Sequence, residues 1–301
     1  MLRKDISEPA TAQEPNAAQG EESPYALPAG NVQIAFSGGR TSAFMLHQIL
    51  EANGPLPERV VVSFQNTGRE FNETLDFVQE CGERWNVRIV WLEYRPDEPR
   101  FEVVSHNSAA RDGEPFEALI KKKMGLPYSF ARFCTSELKV HCSTRYARSL
   151  GWEYWTSAIG IRADEQSRLR GKTDARERFT HWHPLAKAGV SKRDVMEFWG
   201  RQPFDLRLAN VNGRTPYGNC DGCFLKSEAT RAALARDFPE RFAWWVRMED
   251  TAKANGWGGK NPVFNSRGTS YRDLGDFVAR QGSVFDETGE WCQADDGECF
   301  G

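Results

Sequence analysis

Apolar residues along this chain gather in two alternating kinds of run. Val32-Gln33-Ile34-Ala35-Phe36 is short and almost continuously apolar, the pattern of a strand covered on both faces. Ser37-Gly38-Gly39 breaks it. From about Thr41 to Ala52 the apolar positions shift to helical spacing, with Leu46, Ile49 and Leu50 on one face, until Gly54-Pro55 stops the helix. The alternation then repeats. Val60 to Phe64 reads as a second strand, Asn72 to Trp85 as a helix carrying Leu75, Val78 and Trp85, Val87 to Leu92 as a third strand, and Trp155 to Ile161 as a fourth. Strands alternating with amphipathic helices predict an α/β fold, a doubly wound and mostly parallel sheet in the Rossmann manner. In such sheets ligands sit at the carboxyl ends of the strands.

Outside that pattern the chain changes character. Residues 1–29 are rich in Ala, Glu, Pro, Gln and Gly with almost no large apolar side chains, so burial cannot offset their ordering entropy and they read as a disordered tail. The stretch from about 98 to 133 is irregular. After residue 185 the pattern is largely helical, with helices expected at about 191–200, 226–237 and 239–254, and an unassigned Gly- and Asp-rich end. The expected division is a tail over 1–29, a nucleotide-binding α/β domain over 30–215, and a helical, cysteine-bearing extension over 216–301. The run Phe242-Ala243-Trp244-Trp245 reads as helix packing.

The chain has 301 residues and a formal charge of −3, which does not advertise a polynucleotide partner. No stretch approaches the ~20 apolar residues of a membrane span, and no apolar region follows the N-terminal charges as in a secretory signal. A cytoplasmic protein with no membrane partner is expected, and its seven cysteines then point to thiol or metal chemistry.

The loop Ser37-Gly38-Gly39-Arg40-Thr41-Ser42 sits between a strand and a helix, the layout that aims backbone N–H groups and a helix N-terminus at an anion. Hydroxyls of Ser37, Thr41 and Ser42 and the fork of Arg40 add donors. A plain tight turn is the other reading of this hexapeptide. Two more segments begin at strand ends. Thr67-Gly68-Arg69-Glu70-Phe71-Asn72-Glu73-Thr74 follows the second strand, and Gly160-Ile161-Arg162-Ala163-Asp164-Glu165-Gln166-Ser167-Arg168 the fourth.

In this order the three segments resemble the phosphoadenosine phosphosulfate (PAPS) reductase family of the adenine nucleotide alpha-hydrolase, or PP-loop, superfamily. The similarity spans roughly residues 31 to 226 and includes His183-Pro184-Leu185 and the helix from Ser191 to Trp199. The resemblance implies that Ser37, Gly38, Gly39, Arg40, Thr41, Ser42, Thr67, Gly68, Gly160 and Arg162 bind an adenine nucleotide, with Mg2+ as an accompanying ion. Many PP-loop ATPases have Lys-Asp where this chain has Arg40-Thr41, so the positive charge survives without the acid. Arg40 is also a catalytic candidate.

Cys220-Asp221-Gly222-Cys223 is a C-x-x-C whose turn can point two sulfurs at one metal. Thiolates suit an iron–sulfur cluster or zinc, and a C-x-x-C also serves as a redox or structural pair. A distant cysteine followed by a C-x-x-C is similar to the iron–sulfur branch of the family. That implies a 4Fe–4S cluster on Cys134, Cys220 and Cys223, with Cys142 as the candidate fourth ligand. Three cysteines alone resemble the PP-loop enzymes that thiolate transfer RNA. Lys139, five residues after Cys134, falls on roughly the same side of a helix and is a candidate cation beside a substrate anion. Glu298-Cys299-Phe300-Gly301 is similar to the Glu-Cys-Gly of sulfonucleotide reductases, which makes Cys299 a candidate nucleophile and Cys292 its resolving partner. Cys81 reads as a buried small hydrophobe. His181-x-His183 favours surface or loop roles. Lys121-Lys122-Lys123 favours a solvated face, with Arg145, Arg148, Arg168 and Arg170 as the phosphate contacts a polynucleotide would use.

Three functions are consistent with these residues. The first is an ATP-dependent enzyme that adenylates an acceptor, a nucleic-acid base or a small molecule, so that a sulfur nucleophile can displace AMP. The second is a reductase taking adenylylsulfate (APS) or PAPS to sulfite with a thiol reductant protein. The third is a nucleotide-binding module without catalysis, with a structural metal.

Overall fold

The computed structural model describes residues 23–170, 177–259, 262–265 and 269–281. Six strands form one sheet: β1 (Val32–Ala35), β2 (Val60–Asn66), β3 (Ile89–Tyr94), β4 (Phe101–Val104), β5 (Trp155–Ala158) and β6 (Phe179–Trp182), in the order β4-β3-β2-β1-β5-β6. Every pairing is parallel except β3 with β4. β1 is central, and the order reverses there: β2 lies on one side and β5 on the other. That is the switch point of a doubly wound sheet, where a crevice opens beyond the strand ends.

The expected strands are present, with β5 shorter than anticipated. The edge strands β4 and β6 were not foreseen. Each is only half covered, so neither carries the continuous apolar run that marks a buried strand. The irregular middle also contains α3 (Glu114–Lys123), closed by the left-handed residue Met124.

Helices α1 (Arg40–Asn53) and α2 (Asn72–Arg84) lie where the apolar spacing puts them, and Gly54 caps α1 by returning its N–H to the Leu50 carbonyl. Beyond α3 the chain winds as a π-helix over Thr135–His141 and runs straight into α4 (Cys142–Ser149). Four-residue helices α5 (Gln166–Leu169) and α6 (Pro184–Lys187) follow. Helix α7 (Lys192–Trp199) starts with Ser191 and Asp194 bonded to each other at 2.8 Å, and packs on α1.

Helices α8 (Glu228–Asp237), α9 (Pro239–Ala254) and α10 (Tyr271–Gln281) pack on one another. Trp244 and Trp245 of α9 are fully buried and belong to the same apolar cluster as β1, as the packing reading of that aromatic run expects. Phe116 of α3 meets both indoles, with ring centroids 5.4 and 5.8 Å away. Each such side chain contributes roughly 2–3 kcal/mol of burial. Among the described residues no helix is long and apolar enough to cross a membrane.

Candidate functional site

The loop after β1 is held tightly. Gly38 has φ +79°, and a Cβ there would lie 2.8 Å from Thr74 Cγ2, so only glycine fits. Ser42 Oγ bonds to the Ser37 hydroxyl at 2.9 Å, accepts from the Ser37 amide at 3.2 Å and donates to the Gly39 carbonyl at 3.0 Å. These contacts fix the turn with the first N–H groups of α1 lacking intrahelical partners, the usual basis of anion binding.

The other two segments meet this loop. Gly160 packs against Ser42, whose Cα would be 3.3 Å from an added Cβ. Arg162 is buried, donates to Thr41 Oγ at 3.1 Å and is steadied by Asp164 at 2.9 Å. At the end of β2, Thr67 donates its hydroxyl to Glu70 at 2.8 Å and its amide to the same carboxylate at 2.9 Å. Gly68 adopts φ +77° with Gly113 pressed against it. All three sequence segments therefore converge at the carboxyl edge of the sheet.

The Arg40 guanidinium is engaged by partners within the chain. The residue is 7 % exposed and lines a cleft beside Gly38 and Gly39. It grips Asp205 through two bonds of 2.7 and 2.9 Å, Thr215 at 2.9 Å and the Leu206 carbonyl at 2.5 Å. A buried arginine with this many partners acts as a structural tie, since losing them would leave its charge buried and unpaired. It anchors the 205–215 segment to the start of α1.

The cysteines divide into two places. Cys134, Cys220 and Cys223 line one pocket, together with Thr67, Arg132 and Lys139. Cys142 is not there. It is fully buried in a separate small cluster with Val90 and Leu92, and burial pushes its thiol up to about 12. The candidate fourth ligand therefore lies in the core outside the cysteine pocket, because α4 turns that side chain onto the sheet. Cys81 is fully buried within α2, its thiol likewise pushed up by burial. Cys292 and Cys299 lie outside the described residues.

Lys139 reaches the cysteine pocket because of the π-winding. A regular α-helix would leave residues five apart ~140° out of register, whereas an i to i+5 helix brings them to one face. Lys139 is 6 % exposed. The winding is pinned by Glu137, which accepts from Lys123 at 2.7 Å and Arg145 at 3.2 Å. Burial alone would raise that carboxyl; the bonds from Lys123, Arg145 and His141 hold it down at about 2. Lys123 and Arg145 are therefore structural, and Lys121 pairs with Glu117 at 2.7 Å.

Asp221, inside the C-x-x-C, was not anticipated. It is fully buried and accepts from Arg69 at 2.6 Å, Arg241 at 2.6 Å and the Trp245 indole at 2.8 Å, while its amide donates to the Arg69 carbonyl at 2.9 Å. Burial pulls the Arg69 guanidinium down, and the Asp221 carboxylate opposes that pull. This knot locks the cysteine turn to the Thr67-Gly68 turn. Gly222 has no room for a side chain, because its Cβ would lie 2.4 Å from the Trp245 indole nitrogen.

Among the described residues no three His, Cys, Asp or Glu side chains are arranged as a ready metal site. The donor set of the pocket nevertheless suits a soft metal centre: three thiols, with apolar walls from Phe116, Leu138, Phe224 and Trp245. The rings of His181 and His183 lie tilted to one another with centroids 5.7 Å apart, at β6 and the start of α6, and burial lowers the pKa of both.

A parallel sheet with a Ser-Gly-Gly loop at its switch point defines an α/β protein of the PP-loop class. The signature of the phosphoadenosine phosphosulfate reductase domain matches residues 31–202. The chain belongs to that family. An uncharacterized nin region protein, ORF290 of Escherichia phage lambda, is 31% identical over 217 residues, covering 68% of this chain and 69% of that one. Among solved structures, phosphoadenylyl-sulfate reductase from Candida auris in its phosphate complex aligns with a TM-score of 0.38 and 16% identity, over 60% of this chain and 79% of its own. The U34-tRNA thiolase NcsA from Methanococcus maripaludis with its [4Fe-4S] cluster aligns with a TM-score of 0.36 and 10% identity, over 75% and 72%.

Proposed function

We propose that this chain is a nucleotide-dependent sulfur-chemistry enzyme whose Ser37–Ser42 loop holds the phosphates of ATP. One observation carries the reading: Cys134, Cys220 and Cys223 line a single pocket that Thr67, from the nucleotide-facing turn, also lines. In this reading Ser37, Gly38, Gly39, Thr41, Ser42, Thr67, Gly68, Gly160 and Arg162 surround the nucleotide. The α1 N-terminus offsets the charge that develops on departing pyrophosphate. An acceptor oxygen attacks the α-phosphorus, pyrophosphate leaves, and a sulfur nucleophile later displaces AMP from the activated acceptor. Cys134, Cys220 and Cys223 are the residues that would hold a 4Fe–4S cluster, and such a cluster would supply thiophilic iron for the sulfur to be transferred. Lys139 and Arg132 give the pocket positive charge for an anionic intermediate.

Reduction of APS or PAPS is the second reading. It is favoured by the same buried Lys139, placed where a sulfonucleotide sulfate would meet thiols. The two separate cleanly. Protein purified without oxygen is incubated with ATP, APS or PAPS and a thiol reductant, and products are read by mass spectrometry. AMP and pyrophosphate from ATP support the adenylating reading. Sulfite with AMP or its 3′-phosphate overturns it in favour of the reductase. Iron content unchanged by Cys220→Ser refutes the ligand set under both.

A further inference from the structure

The loop that carries the cysteine pair also forms one wall of a second pocket. Asn219 precedes Cys220, and it lines a cleft with Gly38, Gly39, Thr74 and Lys192. Asn219 is 4 % exposed, yet neither its Nδ2 nor its Oδ1 has a hydrogen-bond partner. Thr74, also buried, has an unpartnered hydroxyl in the same cleft. Buried polar atoms are rarely left unsatisfied, and two from different elements facing one cleft point to a ligand that satisfies them.

The amide of Asn219 is not needed to hold its own loop. Buried Lys226 does that, donating to the carbonyls of Pro216, Gly218 and Asp221 at 2.7, 2.9 and 3.1 Å. The left-handed backbone at Asn219, φ +51°, suits asparagine, but glycine suits it at least as well. What glycine lacks is the amide. The polar groups of the residues lining the cleft are mostly donors: the Asn219 amide NH2, the Thr74 hydroxyl and the first N–H groups of α1, with Lys192 adding a positive charge to the lining. That set recognises an oxyanion.

We propose that Asn219 and Thr74 are direct ligands of the phosphate chain of the bound nucleotide. This rests on the nucleotide-binding reading above.

The test is calorimetric titration of the full chain with ATP and with inorganic pyrophosphate. Asn219→Gly keeps the backbone and removes the amide, Asn219→Asp keeps the shape and adds a repelling charge, and Thr74→Val keeps the methyl that packs on Gly38. Loss of one such bond weakens both ligands by about tenfold in Asn219→Gly and in Thr74→Val, and by more in Asn219→Asp. Wild-type-like binding in all three folded variants overturns the assignment while leaving the nucleotide reading intact. If the wild-type chain itself takes neither ATP nor pyrophosphate, the nucleotide reading fails and the assignment with it. Should Asn219→Gly fail to fold, Thr74→Val alone decides.

Discussion

The Thr67 hydroxyl lies 3.4 Å from the Cys220 sulfur. One residue belongs to the turn after β2 and the other to a loop far along the chain. Their contact joins the expected nucleotide edge of the sheet to the cysteine pocket. Asp221 reinforces the junction from beneath by clamping Arg69 and Arg241, and Asn219 extends it toward Gly38. Three consecutive residues thus face three different tasks, which explains why the turn is so constrained.

Asp221 provides the first prediction. Asp221→Asn keeps the size but removes the charge that balances Arg69 and Arg241. Breaking a buried pair from one side costs about 3–5 kcal/mol. The urea midpoint should fall accordingly, and any bound iron should fall with it because the cysteine turn loses its anchor. A midpoint matching wild type would overturn the role of Asp221 as the tie between the two turns.

Short contiguous patterns were the legible part of this sequence. Ser37 to Ser42, Thr67-Gly68 and Gly160-Ile161-Arg162 each announce themselves because a strand end, a glycine and a polar cluster are adjacent in the chain. Cys134 and the C-x-x-C were read together and do share a pocket. What could not be read depended on distant partners. Nothing beside Arg40 indicates that Asp205 and Thr215 will claim its guanidinium. Asp221 looks like an ordinary turn residue until Arg69, Arg241 and Trp245 surround it. The π-helix has no apolar period of its own, so Lys139 was placed near Cys134 for a reason that a regular helix would not supply.

Arg40 should behave as a tie. Asp205→Ala leaves its guanidinium buried with only neutral acceptors, and because Asp205 is partly exposed the cost is about 2 kcal/mol, below the fully buried range. Arg40→Lys loses the two-pronged grip and should cost a similar amount. In both variants the loss appears in thermal or urea unfolding. ATP affinity measured well below the unfolding transition should change by less than about threefold, since the donors of the fork are already taken up by Asp205, Thr215 and the Leu206 carbonyl. A large affinity loss at unchanged stability would return Arg40 to the phosphate.

Cys142 and Cys134 should part company in metal binding. Cys142→Ala removes a small core side chain beside Val90 and Leu92, at a cost of about 1 kcal/mol, and should leave iron content untouched. Cys134→Ser should strip the metal with little loss of stability in the apo protein, because that side chain is only partly buried. Iron and sulfide assays on anaerobically purified variants decide between the two, and metal loss in Cys142→Ala would reinstate it as a ligand.

Glu249 sets a pH dependence for the C-terminal helices. It lies on α9 at 5 % exposure and accepts from the amides of Phe264 at 3.1 Å and Tyr271 at 2.8 Å, so it ties the start of α10 to α9. Burial pushes its carboxyl up to about 7, against the opposing effects of those amides and of Arg231. In the unfolded chain a glutamate titrates near ~4.3. Below that value both states hold the proton, and the full contribution to stability is present. Between there and about 7 the unfolded chain releases its proton while the folded one resists, so stability falls as pH rises, by roughly 4 kcal/mol in all. Glu249→Gln cannot titrate, though it loses one acceptor at every pH. Unfolding midpoints at about pH 5 and about pH 8 should therefore drop further for wild type than for Glu249→Gln, with all other titrating groups cancelling in the comparison. Equal drops in the two proteins would mean that the folded carboxyl ionises as an ordinary glutamate, held charged by the two amides.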